Sequence, residues 1–202
     1  PTLTLRGLNT DRNQLSANLS GGIVISKTDT GYWELTGNNT HTGGVTVSSG
    51  VLGLGGTSVL GTGLFTVTNG YVRATGQDLT ISNTLQSTVN ASSYFTGDYS
   101  LTFGTLTMNT GADTTVVNYI TPGSGKALTF SGSIMQGAEG TQRTIVFAGN
   151  GETVLSGTIV NNTSATRIRI QTGANAQYGP AVVRLTGSSV NSFTGGFQLN
   201  SG

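Results

Sequence analysis

Residues 35–56 read LTGNNTHTGGVTVSSGVLGLGG, and the fold is decided in this stretch. Two short runs place apolar side chains on every second residue, Val45 with Val47 and Leu52 with Leu54, the period of a strand with one buried face. Only Ser48-Ser49-Gly50 separates them, and Asn38, Asn39, Thr40, Thr42, Gly43 and Gly44 precede them. Those residue types satisfy backbone groups locally or accept positive φ, so they read as turns. The unit is strand, turn, strand, turn. A looser copy, LTGSSVNSFTGGFQLNSG, occupies residues 185–202. There Leu185, Thr186 and Gly187 stand for Leu35, Thr36 and Gly37, Thr194-Gly195-Gly196 for Thr42-Gly43-Gly44, and Phe197 and Leu199 for Val45 and Val47. Internal repetition of this kind marks a repeat architecture.

Outward from that unit the chain keeps the same texture. Apolar pairs two residues apart recur as Leu3 with Leu5, Ile23 with Ile25, Phe65 with Val67, Leu79 with Ile81, Leu101 with Phe103, Leu128 with Phe130 and Ile168 with Ile170, each bounded by Gly, Asn, Ser, Thr or Asp. No window carries a convincing helical period; the nearest, residues 133–143, holds two glycines that weaken it. Only Asn69-Gly70 and Asn150-Gly151 could make the tight turns of hairpins, so antiparallel pairing is not the theme. The expectation is an all-β, right-handed parallel β-helix (β-solenoid) forming one domain over residues 1–202, with roughly eight to ten coils of about 20 to 25 residues.

Composition agrees. Charged residues make up 8% of the 202, against about 25% in an average soluble domain, while Thr, Ser and Asn supply roughly a third. Coils that stack like residues above like favour uncharged side chains, which form ladders without repulsion. With no cysteine there is no disulfide or thiolate metal site. The net charge of +1 comes with scattered Lys and Arg, which offers nucleic acid no basic run. No apolar run is long enough to span a membrane as a helix.

The run KTDTGYWELTGNNTHTGGVTV, residues 27–47, continuing to GVLGLGG at 50–56, resembles the autotransporter-associated β-strand repeat, also called the passenger-associated transport repeat. Repeat copies are therefore placed at 27–56 and 183–202. Trp33 and His41 depart from the usual small residue and Tyr of that pattern. The resemblance implies a parallel β-helix in a large secreted or surface protein of a bacterium, with an extracellular or outer-surface location, and it does not imply an enzyme. Starting at Pro1 and stopping inside a motif copy, the chain reads as a piece of something longer.

Solenoid ends are rows of unpaired N–H and C=O groups, and atypical caps usually cover them. No cap is legible here. Leu3 and Leu5 at one end and Phe197 and Leu199 at the other are the candidates for an end-to-end interface, so the expected partner is a further copy, as tandem repeats or filament subunits. Function is then structural: a stiff rod in a filament, stalk or surface layer, with an adhesive role open. Two competitors are weighed. A glycan-binding adhesin would use Tyr32, Trp33 and Tyr71 as a platform. A carbohydrate-active β-helix enzyme would need paired carboxylates about 5 to 10 Å apart, drawn from Asp98, Asp113, Glu139 and Glu152 with Lys126 and Arg143; solvated turn charges are the favoured reading of these. His41, the lone histidine, reads as an exposed bystander in a turn. The Gly-Gly pairs at 21, 43, 55 and 195 lack the Asp of calcium-binding repeats, and the sequons at Asn18, Asn38, Asn90, Asn161 and Asn162 read as chance matches. No cofactor and no metal is expected.

Overall fold

The structure is a computed structural model that describes residues 1–88, 91–108, 113–135, 142–161, 166–172, 181–187 and 191–201. In chain order the strands are β1 (Thr2–Leu5), β2 (Asn13–Leu15), β3 (Val24–Lys27), β4 (Tyr32–Leu35), β5 (Val45–Val47), β6 (Val51–Leu54), β7 (Phe65–Val67) and β8 (Tyr71–Ala74). Then come β9 (Leu79–Ile81), β10 (Leu85–Ser87), β11 (Ser92–Gly97), β12 (Leu101–Phe103), β13 (Leu106–Met108), β14 (Thr114–Ile120) and β15 (Ala127–Phe130). The series ends with β16 (Ile134–Met135), β17 (Arg143–Gly149), β18 (Glu152–Leu155), β19 (Ile159–Val160), β20 (Thr166–Thr172), β21 (Val182–Leu185) and β22 (Phe197–Ser201).

They stack into three parallel sheets. Sheet A runs β1-β3-β5-β7-β10-β13-β16-β19, sheet B runs β2-β4-β6-β8-β11-β14-β17-β20-β22, and sheet C runs β9-β12-β15-β18-β21. Strands three or four residues long cannot stand alone; each is held because its equivalents one coil below and above complete its hydrogen bonds. Sheets eight and nine strands deep place the solenoid within the expected range of coils. Ile25, Val45, Phe65 and Leu85 pair in sequence along sheet A at intervals of 20 residues. Later coils are longer, with Leu106 pairing with Ile134 across 28 residues, beyond the expected repeat length.

Alternation sorts the strands into inward and outward positions. The column that begins with Leu3 and Ile25 continues through Val45, Phe65, Leu85 and Leu106 to Ile134 and Ile159. Phenylalanines from all three sheets meet in the middle: Phe103 lies 6.0 Å from Phe65, 5.7 Å from Phe95 and 6.2 Å from Phe130 between ring centroids, and Phe130 lies 6.0 Å from Phe147. Those spacings are favourable for aromatic pairs. In the first coils residues 36–44 and 55–64 fill the place of sheet C without strands, yet the coil-to-coil ladder persists there through Thr40 N–H to Leu19 O, Thr42 N–H to Gly21 O and Thr62 N–H to His41 O.

The two motif copies are not equivalent in the stack. Val45 and Val47 lie in sheet A beside Phe65 and Val67, whereas Phe197 and Leu199 lie in sheet B beside Ile168 and Ile170. Leu35 is in sheet B and Leu185 in sheet C. The second copy is displaced by one face because sheet C, absent as strands from the early coils, has opened between them. Residues 188–190 and 202 of that copy lie outside the described residues.

Candidate functional site

Two kinds of surface can carry function on such a rod, its ends and its side faces. At the C-terminal end Phe197 and Leu199 are 41% and 71% exposed and Leu185 is 47% exposed. All three continue interior columns: Leu185 follows Phe130 and Leu155, and Phe197 follows Ile145 and Ile168. Among the described residues no strand pairs beyond β21 in sheet C or β22 in sheet B to cover them. At the opposite end Leu8 is 75% exposed, but the apolar strand residues are at least partly covered. Leu3 and Leu15 are partly buried against the core, and Leu5 is 3% exposed, so Leu5 already spends its surface within the first coil. Trp33 contributes to this closure, packing against the core and donating its indole Nε1–H to Arg6 O at 3.1 Å.

On the sides, the residues proposed as a platform separate. Trp33 pairs with Leu52 in an inward column, while Tyr32 pairs with Val51 and Val51 with Tyr71 in an outward one. The Tyr32 ring lies over Gly53, where a Cβ would come within 2.7 Å of its hydroxyl; burial and the nearby Glu34 carboxylate push the Tyr32 phenol above its usual range. Tyr71 is exposed and instead joins a ladder. Its ring stacks on Tyr94 at 4.7 Å and 21°, and Tyr94 stacks on Tyr119 at 6.5 Å and 12°. Three successive coils thus present one outward stripe of tyrosines on sheet B. Spacing alone could have hinted at it, since all three tyrosines stand at outward positions of the same sheet.

The repeat's lysine has a definite place. Lys27 is 0% exposed and occupies an interior column between Leu5 and Val47. Its stem fills the core and its ammonium turns into the corner, donating to the carbonyls of Thr28 at 2.5 Å, Asp29 at 2.8 Å and Ser49 at 3.1 Å. Burial lowers the Lys27 pKa, and the Asp29 charge opposes that in part. Asp29 has φ of 55°, a position that Asp tolerates better than most residues, and its carboxylate accepts the Gly7 N–H at 3.0 Å. That bond, with the Arg6 guanidinium, holds the Asp29 carboxyl below the usual carboxylate range.

His41 is a correction. It is 0% exposed rather than a surface bystander, and neither ring nitrogen has a well-formed hydrogen bond, the Ile23 backbone lying near enough to interact only weakly. The turn closes over it: Gly61, at φ +63°, lies so close that a Cβ there would stand 2.9 Å from the imidazole Cδ2. Burial lowers the His41 pKa, which the Ile23 backbone offsets in part.

The candidate acids are engaged locally. Asp98 accepts the Thr121 hydroxyl at 2.6 Å, Asp113 accepts the Thr144 N–H at 2.9 Å, and Glu152 pairs with Arg184 at 2.6 Å. Lys126 pairs with Asp78 at 2.9 Å. Lys126 and the Ser100 N–H hold the Asp78 carboxyl below its usual range. Glu139 and the sequons at Asn90 and Asn162 lie outside the described residues. No pocket opens, and no metal-binding cluster of His, Asp or Glu forms, among the described residues. No helix there is long and apolar enough to cross a membrane.

A stack of short parallel strands with a caged repeat lysine and a sheathed turn defines a β-solenoid repeat protein. Residues 25–54 match the passenger-associated-transport-repeat family. Over 75 residues, 34% of this chain, it is 40% identical to the adhesin BmaC autotransporter of Brucella suis biovar 1 (strain 1330). The matched segment is 2% of that relative's length. No solved structure matches the chain.

Proposed function

We propose that this chain is a section of a stiff rod in the passenger of a bacterial surface protein, displayed outside the cell, with mechanical and adhesive work and no catalytic role. The observation that carries the reading is that two interior columns of sheet B, Ile145-Ile168-Phe197 and Val116-Phe147-Ile170-Leu199, reach the last strand with Phe197 and Leu199 uncovered. A further coil is expected to cover them, supplied by the same polypeptide or by a neighbouring copy. The matched repeat and the relative named as an adhesin support the surface location. The local engagement of Asp98, Asp113 and Glu152 supports a non-enzymatic side face.

Electron microscopy over a concentration series tests the end-to-end contact. Elongated particles with an axial repeat on the order of 40 Å, as expected for this many coils, are the predicted result, and Leu199→Asp shortens them while leaving the far-ultraviolet spectrum unchanged. Isolated short particles at every concentration would refute contact between separate copies.

A further inference from the structure

The chain's few charges are not distributed evenly over its surface. Of the nine Lys and Arg residues, Arg143 is engaged on β17, and Arg6, Arg12, Lys126 and Arg184 each meet a carboxylate, respectively Asp29, Glu34, Asp78 and Glu152. Lys27 is enclosed by carbonyls. Arg73, Arg167 and Arg169 meet no carboxylate among the described residues. Arg167 is held by Gln142 Oε1 and Gly195 O, Arg169 by Gln198 Oε1, and the Arg73 Nε, buried over Gly97, has no hydrogen-bond partner, which leaves the terminal guanidinium nitrogens of Arg73 to meet a ligand. All three lie on sheet B and point outward. Arg73 stands between buried Val72 and Ala74 on β8, and Arg167 and Arg169 flank buried Ile168 on β20.

Between β8 and β20 lies the tyrosine ladder on β8, β11 and β14. Two stacking contacts join its three rings, with Tyr94 between Tyr71 and Tyr119, and the ladder stands at outward positions of the sheet. Arg73 and Arg169 are four strands apart in sheet B, about 19 Å along the axis, and lie on opposite sides of the Tyr71-Tyr94 column, in line with Tyr119 and Thr115 respectively, with the ladder filling half of the axial interval. Rigid, mutually stacked hydroxyls flanked by uncompensated guanidinium groups match an extended chain that is hydroxyl-rich and carries negative charges at intervals. Guanidinium binds carboxylate and sulfate in a bidentate fork, and a preformed row loses little entropy on binding.

We propose that the outward face of sheet B binds an acidic polysaccharide lying obliquely across the coils, with Arg73 and Arg169 holding its anionic groups and the hydroxyls of Tyr71 and Tyr94 holding its sugar hydroxyls. The proposal rests on the adhesive reading above and names its ligand class. It moves the glycan surface from Tyr32, Trp33 and Tyr71 to a stripe whose members touch.

The test is binding of the full chain to immobilised heparin, polygalacturonate, neutral dextran and poly-glutamate, with particle length followed by electron microscopy in the same samples. Binding to heparin or polygalacturonate that weakens with added salt, with none to dextran, is expected; the first of these reports sulfate recognition and the second carboxylate recognition. The double variant Arg73→Gln with Arg169→Gln weakens it by about tenfold or more. Tyr71→Phe with Tyr94→Phe, which keeps the stacking and removes the hydroxyls, weakens it several-fold. Arg184→Gln removes a positive charge from sheet C and leaves binding within about twofold of wild type. Equal loss in Arg184→Gln and Arg73→Gln, no binding to either polyanion, or equal retention on poly-glutamate would overturn the proposal. Loss of binding with elongated particles intact defeats this inference alone, and binding by particles that never elongate defeats only the end-to-end contact.

Discussion

Replacing Lys27 by Met keeps the unbranched stem in its interior column and removes the ammonium. Three carbonyls, of Thr28, Asp29 and Ser49, then lose their donor. A buried acceptor left unsatisfied costs about 1 to 3 kcal/mol, which sets an upper limit near 9 kcal/mol for the three. Two effects reduce it. The corner is half-buried, so water reaches part of the freed oxygen surface, and the variant no longer bears the several kcal/mol of desolvating a buried charge. A net loss of about 2 to 4 kcal/mol follows. In a solenoid each coil contacts only its neighbours, so the loss concentrates where the cage stood. Hydrogen exchange followed by mass spectrometry is therefore the assay, with unfolding by circular dichroism beside it. Amides of residues 25–54 are expected to lose protection while those of 101–130 keep most of theirs. A variant as protected as wild type, or one that loses protection evenly along the chain, would refute the idea that the lysine pins this corner.

Other consequences are equally direct. His41 has its pKa lowered by burial, so below about pH 6.5 the unfolded chain binds a proton that the folded chain resists; stability is expected to fall as pH drops from 6.5 and to level off below the folded-state value. His41→Phe removes that slope in pH-dependent melting. Gly50→Ala meets the Asp29 and Gly31 carbonyls and the Lys27 ammonium at a φ of +65°, and is expected to lose at least as much stability as Lys27→Met in the same exchange experiment. Phe103→Ala, at the junction of Phe65, Phe95 and Phe130, is expected to cost about 3 to 5 kcal/mol in denaturant unfolding.

Much of the architecture is legible in residue order. Val45, Val47, Leu52 and Leu54 are each at most 1% exposed, as their alternation requires, and the turn residues between them sit where the coil turns. The side-chain surroundings were less accessible. His41 looked like a surface turn residue because its neighbours are Thr and Gly; it is buried because Gly61, one coil later, brings backbone against its ring. Trp33 and Tyr71 both read as aromatic surface candidates, and only their register with Leu52 and Tyr94 separates an inward indole from an outward phenol.

What the sequence by itself determined is therefore local: period-two strands, glycine turns, a repeat near 20 residues and a surface nearly free of charge, all of which follow from the geometry of a single coil. The tertiary structure alone decided which of three faces each run occupies, since corners of different length rotate one motif copy from sheets A and B onto sheets B and C. It also decided that Tyr71, Tyr94 and Tyr119 touch and that Arg73, Arg167 and Arg169 share their face. The physical reason is that coil-to-coil contact joins residues 19 to 31 positions apart, and one residue more or less in an intervening corner would turn the next side chain to the opposite face.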